Sequence, residues 1–231
     1  MRAYQTPPGT ALTLRALARL LSYPDALLRE HLGDLRDALH AERALDATRL
    51  AELDALIDSI ARQGEIDAEA DYVQLFDSGR RTSLYVFEHV HGDSRDRGPA
   101  MIDLAQTYEK ASLYLAEGEM PDHLPVVLEY ASTQPAREAR AFLAEMSHIL
   151  EAIFSALSQR NSRYAAVLGA LIELSGGTAL PAPVPEDEPI DEVWAEPPAF
   201  DGCSSKGQAP PGEAQTVHVV RRDRGTTGAR P

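Results

Sequence analysis

Residues 135–161 read "PAREARAFLAEMSHILEAIFSALSQRN", and the spacing of apolar side chains along this stretch decides the fold class. Phe142, Met146, Ile149, Ile153 and Leu157 follow one another at three or four positions. A helix gathers such positions on one face, whereas a strand, with its period of two, would scatter them over both. The stretch therefore predicts one long amphipathic helix.

The same period extends outward in both directions. Leu14, Leu17, Ala18 and Leu21 form a helical stripe that ends at "SYP", where Pro24 cannot continue a helix behind it. Leu27, Leu28, Leu32, Leu35 and Leu39 repeat the pattern from Asp25 to about His40, and Leu50, Leu53, Ile57 and Ile60 repeat it from Asp46 to Arg62. "EIDAEADYVQLF" (65–76) and "TSLYVFEHV" (82–90) read as two more helices separated by "DSGRR". "GPAMIDLAQTYEKASLYLAEG" (98–118) opens with a first-turn proline and closes on a glycine, the usual asymmetry of a helix. "MPDHLPVVLEYAS" (120–132) predicts a short helix with Asp122 placed to cap it, and a last helix runs from about Ser162 to Leu174 before "SGG". No strand alternation and no fixed-period repeat emerges. The expected body is all-α, a single-domain helical bundle of about nine helices.

Composition narrows the function. Aromatics make up only 6% of the 231 residues while Ala and Leu dominate, which favours packed helices over sheets. A formal net charge of −14 argues against a nucleic-acid binder, which needs a basic face to displace phosphate counterions, and favours a basic partner. The one cysteine, Cys203, allows neither an intramolecular disulfide nor a multi-cysteine zinc site. The start, "MRAYQTPPGT", lacks an apolar signal region, and no run of about 18 apolar residues spans a bilayer, so a cytoplasmic protein without membrane insertion is expected. Beyond Gly177 nine of the sixteen prolines accumulate in a polar, acidic stretch. The expected organisation is a flexible N-terminus over 1–9, an all-α domain over 10–176, and a Pro/Gly-rich, mostly disordered tail over 177–231.

Chemistry concentrates in "FEHVHGDSRDRG" (87–98), with two histidines, three acids and two arginines. A metal-dependent hydrolase centred on His89, His91 and Asp93 is one reading. On a helix, however, residues two apart point about 200° from each other and cannot share an ion. No H-E-x-x-H, Walker A, G-x-G-x-x-G or G-x-S-x-G string occurs. What remains is an acidic helical body suited to holding another polypeptide, with a groove for an amphipathic helix and rim carboxylates for its Lys and Arg.

The string "DYVQLFDSGRRTSLYVFEHVHGDSRDRGPAMIDLAQTYEKASLYLAEGEMPDHLPVVLEYAS" (71–132), with "YPD" at 23–25 and "EPPAFDGCSSKG" in the tail, closely resembles the NarJ family of nitrate reductase assembly chaperones. Val86 and Asp93 depart conservatively from the leucine and glutamate expected there. The resemblance implies a TorD-like fold and a system-specific chaperone, not an enzyme. It implies binding of the apo catalytic (alpha) subunit of respiratory nitrate reductase in the cytoplasm, partly through that subunit's N-terminal segment. The client is held competent for insertion of its bis-molybdopterin guanine dinucleotide and iron-sulfur clusters before membrane docking. The cofactor belongs to the client, so the chaperone itself is expected to carry none, and cofactor-biosynthesis proteins are further candidate partners.

The wider chaperone group carries a proline, aspartate, histidine segment implicated in binding client leader peptides, and Pro121, Asp122 and His123 match it. Glu88, His89, His91, Asp122 and His123 are the expected client-binding residues, with Asp122 capping its helix and offering its carboxylate to a basic client residue. Gly92, Arg95 and Arg97 are expected to structure the loop, with Phe87 anchoring it in the core. A same-fold chaperone for another molybdoenzyme with a twin-arginine leader is the alternative within this class.

Overall fold

The computed structural model describes residues 9–92 and 94–183. The expectations for residues 1–8, for Asp93, and for 184–231 with Cys203 and "EPPAFDGCSSKG" lie outside the described residues. Eleven α-helices follow in order: α1 (Ala11–Leu20), α2 (Ala26–Glu30), α3 (Leu32–Glu42), α4 (Ala47–Arg62), α5 (Glu65–Phe76), α6 (Val86–Val90), α7 (Arg97–Lys110), α8 (Leu124–Thr133), α9 (Ala136–Glu145), α10 (Ser147–Gln159) and α11 (Ala165–Ser175). A single 3-10 turn, Arg80–Thr82, precedes α6, and the described residues contain no strand.

The count exceeds nine because two expected helices are broken. The stripe from Asp25 interrupts at His31 (φ −98°, ψ 10°), giving α2 and α3. The long stretch over 135–161 interrupts at Met146 (φ −102°, ψ 12°), and α9 and α10 meet at 68°. That bend lets both pieces pack against α11. Local chemistry sets the other boundaries. The carboxylates of Asp25 and Asp46 accept the N–H groups of Leu28 and Arg49, each at 2.8 Å, and satisfy first-turn donors of α2 and α4. Gly176, at φ +97°, ends α11, and the Gly177 N–H reaches back to the Ile172 carbonyl at 2.9 Å.

Helix α11 is apolar almost all round, with Val167, Leu168, Leu171 and Ile172 fully buried, so it runs through the middle of the core. Helices α4, α9 and α10 pack around it, and α1 packs against α3 and α8. Leu14, Leu17, Leu53, Leu128, Leu143, Leu150 and Leu157 belong to the same continuous core. One aromatic cluster closes the side near α5. Tyr72 stacks with Tyr23, Phe76 and Tyr164 at 4.8 to 6.1 Å, and its hydroxyl donates to the Leu21 carbonyl at 2.7 Å. Burial raises the Tyr72 phenol well above its ordinary value. Among the described residues no single helix is long and apolar enough to cross a membrane.

These burials predict uneven tolerance to substitution. Leu17→Ala, at a fully buried position of α1, should lower unfolding free energy by about 3 kcal/mol. Ile102→Ala, at a position of α7 that is 60% exposed, should change it by less than about 0.5 kcal/mol. Urea unfolding of both variants checks the contrast.

Candidate functional site

After the 3-10 turn the chain does not enter a helix at Thr82, as the period suggests. The chain bends at Leu84, and Tyr85 runs extended beside His123. The Leu124 N–H donates to the Leu84 carbonyl at 2.8 Å and the Val86 N–H to the Asp122 carbonyl at 2.9 Å. Tyr85 and His123 form an isolated antiparallel bridge. This short pairing joins the two strings singled out by sequence, "FEHVHGDSRDRG" and "PDH", and fixes their register.

The Asp122 side chain is fully buried, which corrects its expected role. Helix α8 begins at His123 without a side-chain cap. The Asp122 carboxylate instead accepts the Phe87 N–H at 3.2 Å, in the first turn of α6. It therefore caps a neighbouring helix and turns away from solvent, so it offers no carboxylate to a partner. The Arg97 guanidinium stands over it: Nη2 lies 3.6 Å from the Asp122 carboxylate and Nη1 lies 3.9 Å from that of Glu88. The second Asp122 oxygen, Oδ1, and Arg97 Nε are buried without a hydrogen-bond partner among the described residues. Burial raises the Asp122 carboxyl above its ordinary value, and the Phe87 N–H and Arg97 offset this only in part.

The other expected residues divide between two surfaces. His123 is partly buried and lies 5.1 Å from the Tyr85 ring at an interplanar angle of 32°. Burial lowers its imidazole below 6.5, while Asp122, Glu119 and Asp77 pull in the opposite direction. Glu88 is 33% exposed beside Arg97. His91 meets the half-buried Phe87 edge-on at 5.4 Å, and Phe87 packs on the core as expected. His89 turns elsewhere: its Nε2–H donates to the Ser83 carbonyl at 2.9 Å. It lines a cleft of about 480 Å³ with His148, Glu151 and Leu180.

The two imidazoles of the hydrolase reading thus face different neighbours, and Asp93 lies outside the described residues. Among the described residues no three His, Cys, Asp or Glu side chains converge to hold a metal. Gly92 occupies the left-handed region at φ +51°, where a side chain is disfavoured. Arg97 binds the loop to the body. Arg95 does not: it is exposed and makes no hydrogen bond or ion pair among the described residues, because the loop turns it outward. Sequence reasoning missed Tyr85, which stacks on His123, and Tyr108, whose buried hydroxyl donates to the Pro121 carbonyl at 2.8 Å and supports "PDH" from behind. A single bridge has no period, so no sequence signal announces it.

Asp122→Ala should destabilise the fold by about 2 kcal/mol through loss of the α6 cap. Asp122→Asn keeps an acceptor and should cost less than about half of that. Because the folded-state carboxyl is raised above 3.8, its contribution to stability is full below that value and is lost as pH rises through the raised one. The wild type should therefore gain stability relative to Asp122→Asn as pH falls from about 7 to about 4, read by urea unfolding across that range.

The model of the family "Nitrate reductase delta subunit" matches residues 22–169. The chain is 40% identical over 195 residues to the nitrate reductase molybdenum cofactor assembly chaperone NarJ of Escherichia coli K12, covering 80% of this chain and 83% of that one. It is 36% identical over 193 residues to the probable chaperone NarW of the same strain, covering 79% and 80%. To the probable NarJ chaperone of Bacillus subtilis it is 34% identical over 161 residues, covering 70% and 86%. Among solved structures, a putative redox enzyme maturation protein from Archaeoglobus fulgidus shares the fold, with a TM-score of 0.51 and 21% identity over 75% of this chain and 98% of that one. These relatives are named for assembly and maturation, not for a reaction they catalyse. With the family model spanning most of the helical body and the NarJ likeness extending over four-fifths of the chain, the chain belongs to the nitrate reductase delta subunit family, the NarJ-type assembly chaperones.

Proposed function

We propose that the chain binds the apo catalytic subunit of a respiratory nitrate reductase, partly through that subunit's N-terminal segment. On this reading it acts in the cytoplasm and keeps the subunit open for its molybdenum cofactor and iron-sulfur clusters before membrane docking. The cofactor is the client's, and the chaperone carries none. Contact with cofactor-biosynthesis proteins belongs to the same reading.

The observation that carries the proposal is the meeting of the two strings at the Tyr85–His123 bridge. It leaves Glu88 partly exposed beside Arg97, and His91 and His123 partly exposed beside aromatic rings. Such a mixture suits an amphipathic segment, whose apolar side chains take the rings and whose Lys or Arg meets Glu88. The net charge of −14 favours the approach of a basic segment. His89 then belongs to the wall of the adjoining cleft, and Asp122 acts as a positioning residue.

Isothermal titration with a synthetic peptide of the catalytic subunit's N-terminus, beside a scrambled peptide and a twin-arginine leader, tests this directly. Saturable one-site binding weakened about tenfold by Glu88→Lys is expected. Binding equal to the scrambled control would contradict the proposal, and preference for the twin-arginine leader would move the chaperone to another molybdoenzyme. The lowered imidazole of His123 supports a pH-dependent grip on this reading. Because burial holds the imidazole below its ordinary value, the fall in affinity on acidification should have its midpoint below pH 6.5. His123→Gln should flatten the profile.

A further inference from the structure

The chain between Asp96 and Pro121 is attached to the body unlike any other part of the fold. Over residues 94–120 a single side chain, Tyr108, is buried. Helix α7 has fourteen residues and buries one of them, whereas the thirteen residues of α10 bury seven. Met101, Leu104 and Ala105 lie on the same stripe as Tyr108 yet stay partly exposed, and Ile102 is 60% exposed. At about 25 cal/mol per Å² of apolar surface, a helix that buries so little gains little from docking.

What holds the segment is gathered at its root. Arg97, the first residue of α7, reaches Asp122 and Glu88. Tyr108 donates to the Pro121 carbonyl and stacks on Tyr130 at 4.9 Å. The Tyr85–His123 bridge holds the two segments beneath. Two backbone positions farther out, Ser112 at φ +62° and Gly118 at φ +88°, turn the chain in the left-handed region. Beyond α7 the returning limb supplies Leu113, Tyr114, Leu115 and Glu119 to one wall of a cleft of about 400 Å³. Val126 and Tyr130 of α8, with Arg15 and Arg19 of α1, line the rest.

We infer that residues 94–120 form a flap latched by the Arg97–Asp122 contact, and that its movement opens and closes the cleft against α1 and α8. The ion pair is well suited to be a catch. At 3.6 Å it is not a closed hydrogen bond, and a buried donor and a buried acceptor of the same two side chains remain unmet. The flap can therefore release Arg97 into solvent while the core beneath it stays intact.

Hydrogen–deuterium exchange of the full chain, read by mass spectrometry, tests the flap. Amides of 97–110 should exchange at least about a hundredfold faster than those of α8, α10 and α11. Arg97→Gln should speed exchange in α7 by a further factor of about ten and leave those three helices unchanged. Protection of α7 equal to theirs, or equal acceleration everywhere, would overturn the inference. Gating is tested separately with Val126→Cys in a Cys203→Ser background. Thiol labelling should quicken about fivefold on adding Arg97→Gln. Unchanged labelling with faster α7 exchange would show that the flap does not govern the cleft.

Discussion

A single buried carboxylate organises the candidate site. Asp122 has left water entirely, and the Phe87 N–H, its own backbone N–H and a guanidinium at 3.6 Å compensate its charge only in part. Taking a carboxylate out of water is costly, so the residue persists only where its surroundings are held in place. The surrounding backbone is held by two hydrogen bonds across the Tyr85–His123 bridge and by the Tyr108 hydroxyl on the Pro121 carbonyl. From that one point α6 takes its start, α7 its attachment and His123 its place against Tyr85.

Stability is distributed to match. The apolar α11 and the helices around it form a continuous core, while α7 and the returning limb contribute one buried side chain. A chaperone's working surface has to yield when a client arrives, and elements of low local stability are the ones able to do so. The aromatic cluster around Tyr72 belongs to the other regime, since its hydroxyl is committed to the Leu21 carbonyl.

The helical fold was legible in the sequence because burial imposes a period, and Leu14 to Leu21 or Leu50 to Ile60 display it without help from distant residues. The breaks at His31 and Met146 were not legible. The apolar spacing is continuous across both, and only packing of the two halves on α11 explains the second bend. Gly92 was readable, since a turn that needs positive φ favours glycine. An aspartate just before a helix normally serves that helix, so the local pattern assigns Asp122 to α8. Its acceptor serves α6, 35 positions away, and no local rule contains that information. For Arg95 and Arg97, identical chemistry two residues apart met opposite fates once the turn pointed one outward and the other onto Asp122.

On the proposed function, the chain keeps a nitrate reductase catalytic subunit receptive to its cofactor. Molybdenum per catalytic subunit, measured by elemental mass spectrometry on reductase purified from cells with and without this chain, tests it most directly. Catalytic subunit should accumulate but lack molybdenum when the chain is absent, with occupancy restored by the full chain and poorly restored by Glu88→Lys. Full molybdenum occupancy without the chain would contradict it.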